Sequence, residues 1–254
     1  MPAYALLLAY DGTAFAGWWR QPDQRSVAAT VDAACARLGE GRVAAIAASR
    51  TDAGVHAHGQ VARIDTQRDW PPAELCRTLD AQLPSDCACR AVARVADDWQ
   101  PTHLAAAKTY RYHLDRSQPR DPLLAPFSWR PPGPPLEPDR LRSALALLPG
   151  QHDCRAFRRR GDHRDDYHID LQQAVCTITA TTAAIDLRAD RFAYRLARSL
   201  IGAVIAVARG SLAPDSLRAA LSGEATPACR HQAPAKGLSL LSVHYPLPYQ
   251  PHWE

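Results

Sequence analysis

The chain predicts an α+β fold made of two successive β-α-β-β-α-β units, each a ferredoxin-like split β-α-β sandwich with its helices on one sheet face. Two observations carry this. Short apolar runs of strand length alternate with longer segments whose apolar residues recur at helical spacing. The order strand, helix, two strands, helix, strand occurs once before about residue 105 and roughly again after it. The 254 residues suffice for two modest halves. We set these at 1–105 and 106–254; no residue-level repeat links them, so the duplication is topological.

Strands are predicted over residues 4–10 and 43–48, with a helix between them. Ser26 opens that helix, since its hydroxyl can accept from a first-turn N–H, and Gly39 closes it. Val27, Val31, Ala34 and Leu38 supply its apolar stripe. A polar loop over 49–60 precedes a strand over 60–65. Pro71-Pro72 start a second helix that runs to about Leu83, and a strand follows over 90–95. The second half reads as a strand over 109–114, a helix over 139–148, and strands over 174–179 and 183–187. A helix over 192–209, a short helix over 214–221 and a strand over 237–245 complete it. Residues 118–138 concentrate proline and read as an extended surface connection. Residues 155–170 lack periodicity and read as a mobile loop.

Apolar residues make up 46% of the chain and charged ones 22%, ordinary values for a globular protein. No apolar run approaches the roughly 20 residues needed to span a bilayer. The first residues show no basic-plus-apolar leader pattern, so a cytoplasmic protein is expected. Seven cysteines at irregular spacings fit free thiols. Cys87 and Cys89 are too close for the usual zinc spacing, and Asp162, His163, Asp165, Asp166 and His168 match no ligand pattern, so no metal is expected. The net charge is +4, weakly suggestive of a nucleic-acid partner. Distribution says more: Arg155, Arg158, Arg159, Arg160 and Arg164 crowd one stretch. Arg191, Arg195 and Arg198 form a second group, within about 60° of one another at 3.6 residues per turn if helical. Such clusters suit phosphates; a solvated basic face is the alternative.

The segment Ser49-Arg50-Thr51-Asp52-Ala53-Gly54-Val55-His56 is the most informative. It places a carboxylate two residues from a guanidinium, at a bend where Gly54 permits positive φ. A nearby cation keeps such a carboxylate ionised. By physics alone an ordered turn with an Arg–Asp pair reads equally well.

Arg50-Thr51-Asp52-Ala53-Gly54-Val55-His56, ending in Gly59-Gln60-Val61, resembles the catalytic motif of the TruA family of tRNA pseudouridine synthases. Four further segments agree in order: Tyr10-Asp11-Gly12-Thr13 with Gly17-Trp18; Lys108-Thr109-Tyr110-Arg111-Tyr112; Phe192 through Arg198 to Gly202; and Ala233-Pro234-Ala235-Lys236-Gly237-Leu238. The resemblance implies the pseudouridine synthase fold, with the two halves sharing an extended, mostly antiparallel sheet around a central cleft. It implies isomerisation of uridine to pseudouridine at positions 38–40 of the tRNA anticodon stem-loop, by a homodimer. That reaction consumes no redox equivalent and loses no group, so no cofactor is expected.

By resemblance the catalytic residues are Asp52, Tyr110 and Arg198, with Arg198 pairing with Asp52 and Gly202 permitting close approach one turn on. Asp52 serves as nucleophile or as stabiliser of oxocarbenium character. Tyr110 stacks on the flipped uridine or handles the C5 proton. Tyr112 is read as turning to the opposite sheet face, into the core. Arg50, His56, Arg155, Arg158, Arg159, Arg160 and Arg195 are the expected substrate-binding residues. Departures from the family pattern are Trp19 in place of Gln, Pro101-Thr102-His103 in place of Ala-Arg-Phe, Cys154 in place of an aromatic, and Tyr167 where Arg is common. A catalytically idle tRNA-binding protein and a carboxylate-dependent nucleoside glycosidase are the alternatives, the latter usually needing paired acids.

Overall fold

The computed structural model describes residues 1–41, 43–134, 136–159 and 165–254. Its elements begin β1 (Ala3–Tyr10), α1 (Val27–Arg37), β2 (Ile46–Ala47), β3 (His56–Asp65), α2 (Pro72–Asp80), β4 (Cys87–Val95) and β5 (Ala107–Asp115). They continue α3 (Pro138–Leu145), β6 (Gly150–Asp153), β7 (His168–Ile178), β8 (Thr182–Ala189), α4 (Leu196–Ala208), α5 (Pro214–Leu221) and β9 (Leu238–His244). Two compact units result: Met1–Ala107 with Ser239–Glu254, and Lys108–Leu238. The closing strand counts with the first unit, where the sequence reading puts it in the second half. It pairs in parallel with β3, His56 opposite Ser239 and Ala57 opposite Leu240.

In the first unit β1 lies between β4 and β3, antiparallel to both. Its apolar run is buried almost end to end, as a central strand covered on both faces requires. Ala5 and Val61 join Trp99 and Tyr245 in one cluster, closed by Val243 and Trp253. Tyr4, Leu6 and Leu8 are fully buried, as are Val31 of α1 and Leu75 and Leu79 of α2. Ser26 caps α1 as expected, its hydroxyl accepting from the Ala29 N–H at 3.3 Å, and Gly39 follows with φ +83°. The predicted strand over 43–48 shrinks to two residues, since only Ile46 and Ala47 pair with β3. The strand expected from Gln60 instead starts at His56, so residues 56–59, His56 and His58 included, belong to the strand. The second helix ends at Asp80; Gln82 and Leu83 bond three residues back, to Leu79 and Asp80, in tightened turns.

In the second unit β5, β8, β7 and β6 are neighbours in that order, each pair antiparallel. β6 was not foreseen: Gly-Gln-His-Asp is short and polar and carries no alternation. Residues 155–170 begin in a 3-10 turn over Cys154–Phe157 and end inside β7, so the mobile-loop reading fails at both ends. Arg160, Asp162, His163 and Arg164 lie outside the described residues.

Two readings need correction. The helix expected from Phe192 starts at Leu196, because Arg195 sits left-handed at φ +62° and ψ 6°. Arg191 and Arg195 are therefore off α4, and the expected helical stripe of three arginines does not form. Tyr112 does not turn away from Tyr110. Residues two apart on a strand share a face, and Tyr110, Tyr112 and Leu114 are all buried, opposite buried Leu187, Ile185 and Ala183. Arg111 takes the other face, where it meets Asp186 through two bonds of 2.7 Å.

Candidate active site

The Asp52 loop is shaped by chain that precedes it. Trp18 N–H donates to the Thr51 carbonyl at 3.0 Å, Gly54 N–H to the Phe15 carbonyl at 3.2 Å, and Val55 N–H closes a turn onto the Asp52 carbonyl at 3.1 Å. Gly54 has φ +77°, the left-handed value the bend was expected to need. Two other glycines matter as much. A Cβ on Gly12 would sit 2.1 Å from the Val55 carbonyl oxygen, and one on Gly17 2.6 Å from that of Thr51. Only glycine lets residues 12–17 lie directly against the loop. These roles escaped the sequence reading, since the contacts span some 40 residues.

Side chains complete the mount. Tyr10 and Thr51 hydroxyls meet at 2.8 Å. The fully buried Gln60 amide donates to the Ser49 carbonyl at 2.7 Å and accepts from its N–H at 3.3 Å. His56 is buried behind the loop, its Nδ1 accepting from Gly12 N–H at 3.0 Å and lying 3.1 Å from Asp11. Burial pushes the Asp11 carboxyl up, but hydrogen bonds from the Thr13 hydroxyl and N–H outweigh this and hold it below its usual value. Asp52 itself is half-buried and Arg50 exposed. The Arg50 guanidinium lies over the Trp19 ring, 4.4 Å from its centroid, a partner not foreseen.

In the second unit α4 is buried almost all round, and Arg198 is its one charged residue. Arg198 Nε donates to the Ala233 carbonyl at 2.9 Å, and Ala233 N–H donates to the Arg198 carbonyl, also at 2.9 Å. With the Gln232 amide oriented to satisfy its neighbours, its oxygen accepts from Nη1 at 3.3 Å and Nη2 at 3.2 Å. A Cβ on Gly202 would fall 2.6 Å from the Gln232 nitrogen. The close approach expected at Gly202 is thus made by the segment that holds Arg198. Tyr110 packs edge-on against Phe192, centroids 5.1 Å apart. Tyr112 donates to the Pro234 carbonyl at 2.9 Å, and burial drives its phenol pKa well up. A Cβ on Gly237 would strike that ring at 2.6 Å.

The arginines expected to bind substrate divide sharply. Arg155 pairs with Asp153 at 2.5 Å, and Arg158 lies 5.9 Å over the Tyr167 ring. Arg159 turns inward, donating to Ser199 Oγ at 3.1 Å and the Cys229 carbonyl at 2.8 Å. Arg195 lies 4.8 Å over the Tyr194 ring. Among the described residues no group of three or more His, Cys, Asp or Glu is placed to hold a metal. Nor is any helix among them long and apolar enough to cross a membrane.

Residues 7–102 and 144–246 match the family model described as tRNA pseudouridine synthase, and the chain belongs to that family. Within it, similar proteins include several named tRNA pseudouridine synthase A. The Gloeobacter violaceus protein is 38% identical over 242 residues, 95% of this chain and 80% of that one. The Cereibacter sphaeroides protein is 37% identical over 251 residues, 97% of this chain and 98% of that one. The Syntrophotalea carbinolica protein is 35% identical over 254 residues, 96% of this chain and 97% of that one.

Proposed function

We propose that this chain isomerises uridine to pseudouridine at positions 38–40 of the tRNA anticodon stem-loop, in the cytoplasm and as a homodimer. The observation that carries the reading is the Asp52 loop: a family motif presented on a turn that Gly12, Gly17 and Gly54 make possible. The reaction breaks the N1–C1′ bond, turns the base and forms C5–C1′; the C5 proton leaves and N1 takes one up. Asp52 from the N-terminal half supplies the carboxylate, as nucleophile or as partner to positive charge at the sugar. Arg198 and Tyr110 come from the C-terminal half. Arg198 is the proposed partner cation of the Asp52 carboxylate, and Tyr110 stacks on the flipped base or handles its C5 proton. Arg158 and Arg195 contact the tRNA backbone, where charge sets affinity more than sequence choice, and Arg50 binds the substrate beside Asp52.

The test is release of tritium from C5 of uridine in unmodified tRNA. Release without free uracil supports the isomerase; free uracil signals a glycosidase, and binding without either signals an idle binder. Asp52→Asn keeps size and hydrogen-bonding reach but removes the charge. It should bind tRNA within about threefold of wild type, because phosphate contacts set most of the affinity, and release no detectable tritium. Substantial turnover by this variant would show that another group is the catalyst.

A further inference from the structure

We propose that Trp19 and Arg50 form a stacking shelf for one unpaired nucleobase of the bound RNA, next to the uridine taken by Asp52. The inference deepens the function proposed above and rests on it for the substrate. Trp18 and Trp19 are adjacent but opposite in fate: Trp18 is 1% exposed and serves the core, whereas Trp19 is 54% exposed. An indole left half in water keeps a flat apolar surface that an incoming aromatic group can cover.

Three features suit Trp19 to an RNA base. Its surroundings are held still: Trp18 N–H is bonded to Thr51, and Arg20 Nε donates to Asp32 at 2.6 Å. Arg50 covers the ring with a planar cation 4.4 Å from the centroid, adding a second flat group and a positive charge. Aromatic rings and guanidinium planes are the side-chain surfaces on which unstacked bases settle. Finally, the pair hangs on the backbone that carries Asp52: Arg50 is two residues before it, and Gly17 packs on the Thr51 carbonyl. A base held there fixes the register of the loop strand relative to the carboxylate, which is the property that selects one uridine over its neighbours.

The experiment measures dissociation constants by fluorescence anisotropy for a synthetic anticodon stem-loop and for a series with each loop nucleotide made abasic in turn. Wild type, Trp19→Ala and Trp19→Phe are compared. Trp19→Ala should weaken binding of the intact stem-loop about ten-fold, within the range for one stacked base, while Trp19→Phe keeps most of the affinity. The salt slope should not change for either, since no phosphate contact is lost. The Trp19→Ala penalty should vanish for one abasic position and persist at the others. Wild-type affinity in Trp19→Ala, or an equal penalty at every position, would overturn the shelf and leave an ordinary surface pair. Tritium release by the wild-type protein is read separately. Coupling without isomerisation keeps the shelf and removes the proposed reaction, and isomerisation without coupling does the reverse.

Discussion

At the scale of single residues, Gln232 makes a sharper probe than the proposed catalytic set itself. It holds the Arg198 guanidinium with a neutral oxygen, which positions the cation without compensating its charge. Gln232→Glu would grip Arg198 harder through an ion pair. The proposed role of Arg198 then predicts a roughly ten-fold lower kcat, about 1.4 kcal/mol, with KM for tRNA nearly unchanged and melting temperature equal or higher. A purely structural role predicts better folding and unchanged turnover. Asp52, Tyr110 and Arg198 are proposed as catalytic through motif resemblance, because they lie inside runs that carry the family pattern. The roles of Gln232, Gly12 and Gly17 were not legible in the sequence, since each depends on contact with a segment far away along the chain. Tyr112 was misplaced for a simpler reason: strand side chains repeat every two residues, so Tyr110 fixes its face.

At the scale of elements, helix capping and core strands read well, and polar or strained ends read badly. Ser26 and Gly39 delimit α1 through local chemistry alone. Arg195 delays the start of α4 by adopting a conformation that propensity gives no hint of for arginine, at a cost of about 1–2 kcal/mol. The end of β5 offers a test of folding chemistry. Asp115 is buried, which pushes its carboxyl up, but the Ser117 hydroxyl at 2.5 Å, the Ser117 N–H at 2.8 Å and nearby Arg130 outweigh this. Its carboxyl is therefore held below its unfolded value. That stability is present above the unfolded pKa and lost as pH falls through the folded one. Asp115→Asn should cost about 1–3 kcal/mol at neutral pH. The gap in melting temperature should be steady above about pH 5 and close below about pH 4.

At the scale of the whole molecule, a net charge of +4 says little, whereas the use of each arginine says much. Arg159 is spent on Ser199, the residue after Arg198 on α4, and on the Cys229 carbonyl, while Arg158 and Arg195 lie over aromatic rings. Arg158→Gln and Arg195→Gln should each weaken tRNA binding and lower the slope of log affinity against log salt by up to about one. Arg159→Gln should leave the slope alone and lower the melting temperature instead. Equal slopes across all three would show that the basic stretch is only a solvated surface.

The pairing of β9 with β3 also constrains how the protein is made. The first unit consists of Met1–Ala107 and Ser239–Glu254, so all of Lys108–Leu238 intervenes in the chain. During synthesis the Asp52 loop and its strands emerge early, yet Tyr245 and Trp253, which close the cluster around Trp99, arrive only after the second unit has been built. At ribosomal rates that interval is on the order of ten seconds. For that time a nascent half carries an open β3 edge and an uncovered aromatic core, the kind of surface that chaperones bind.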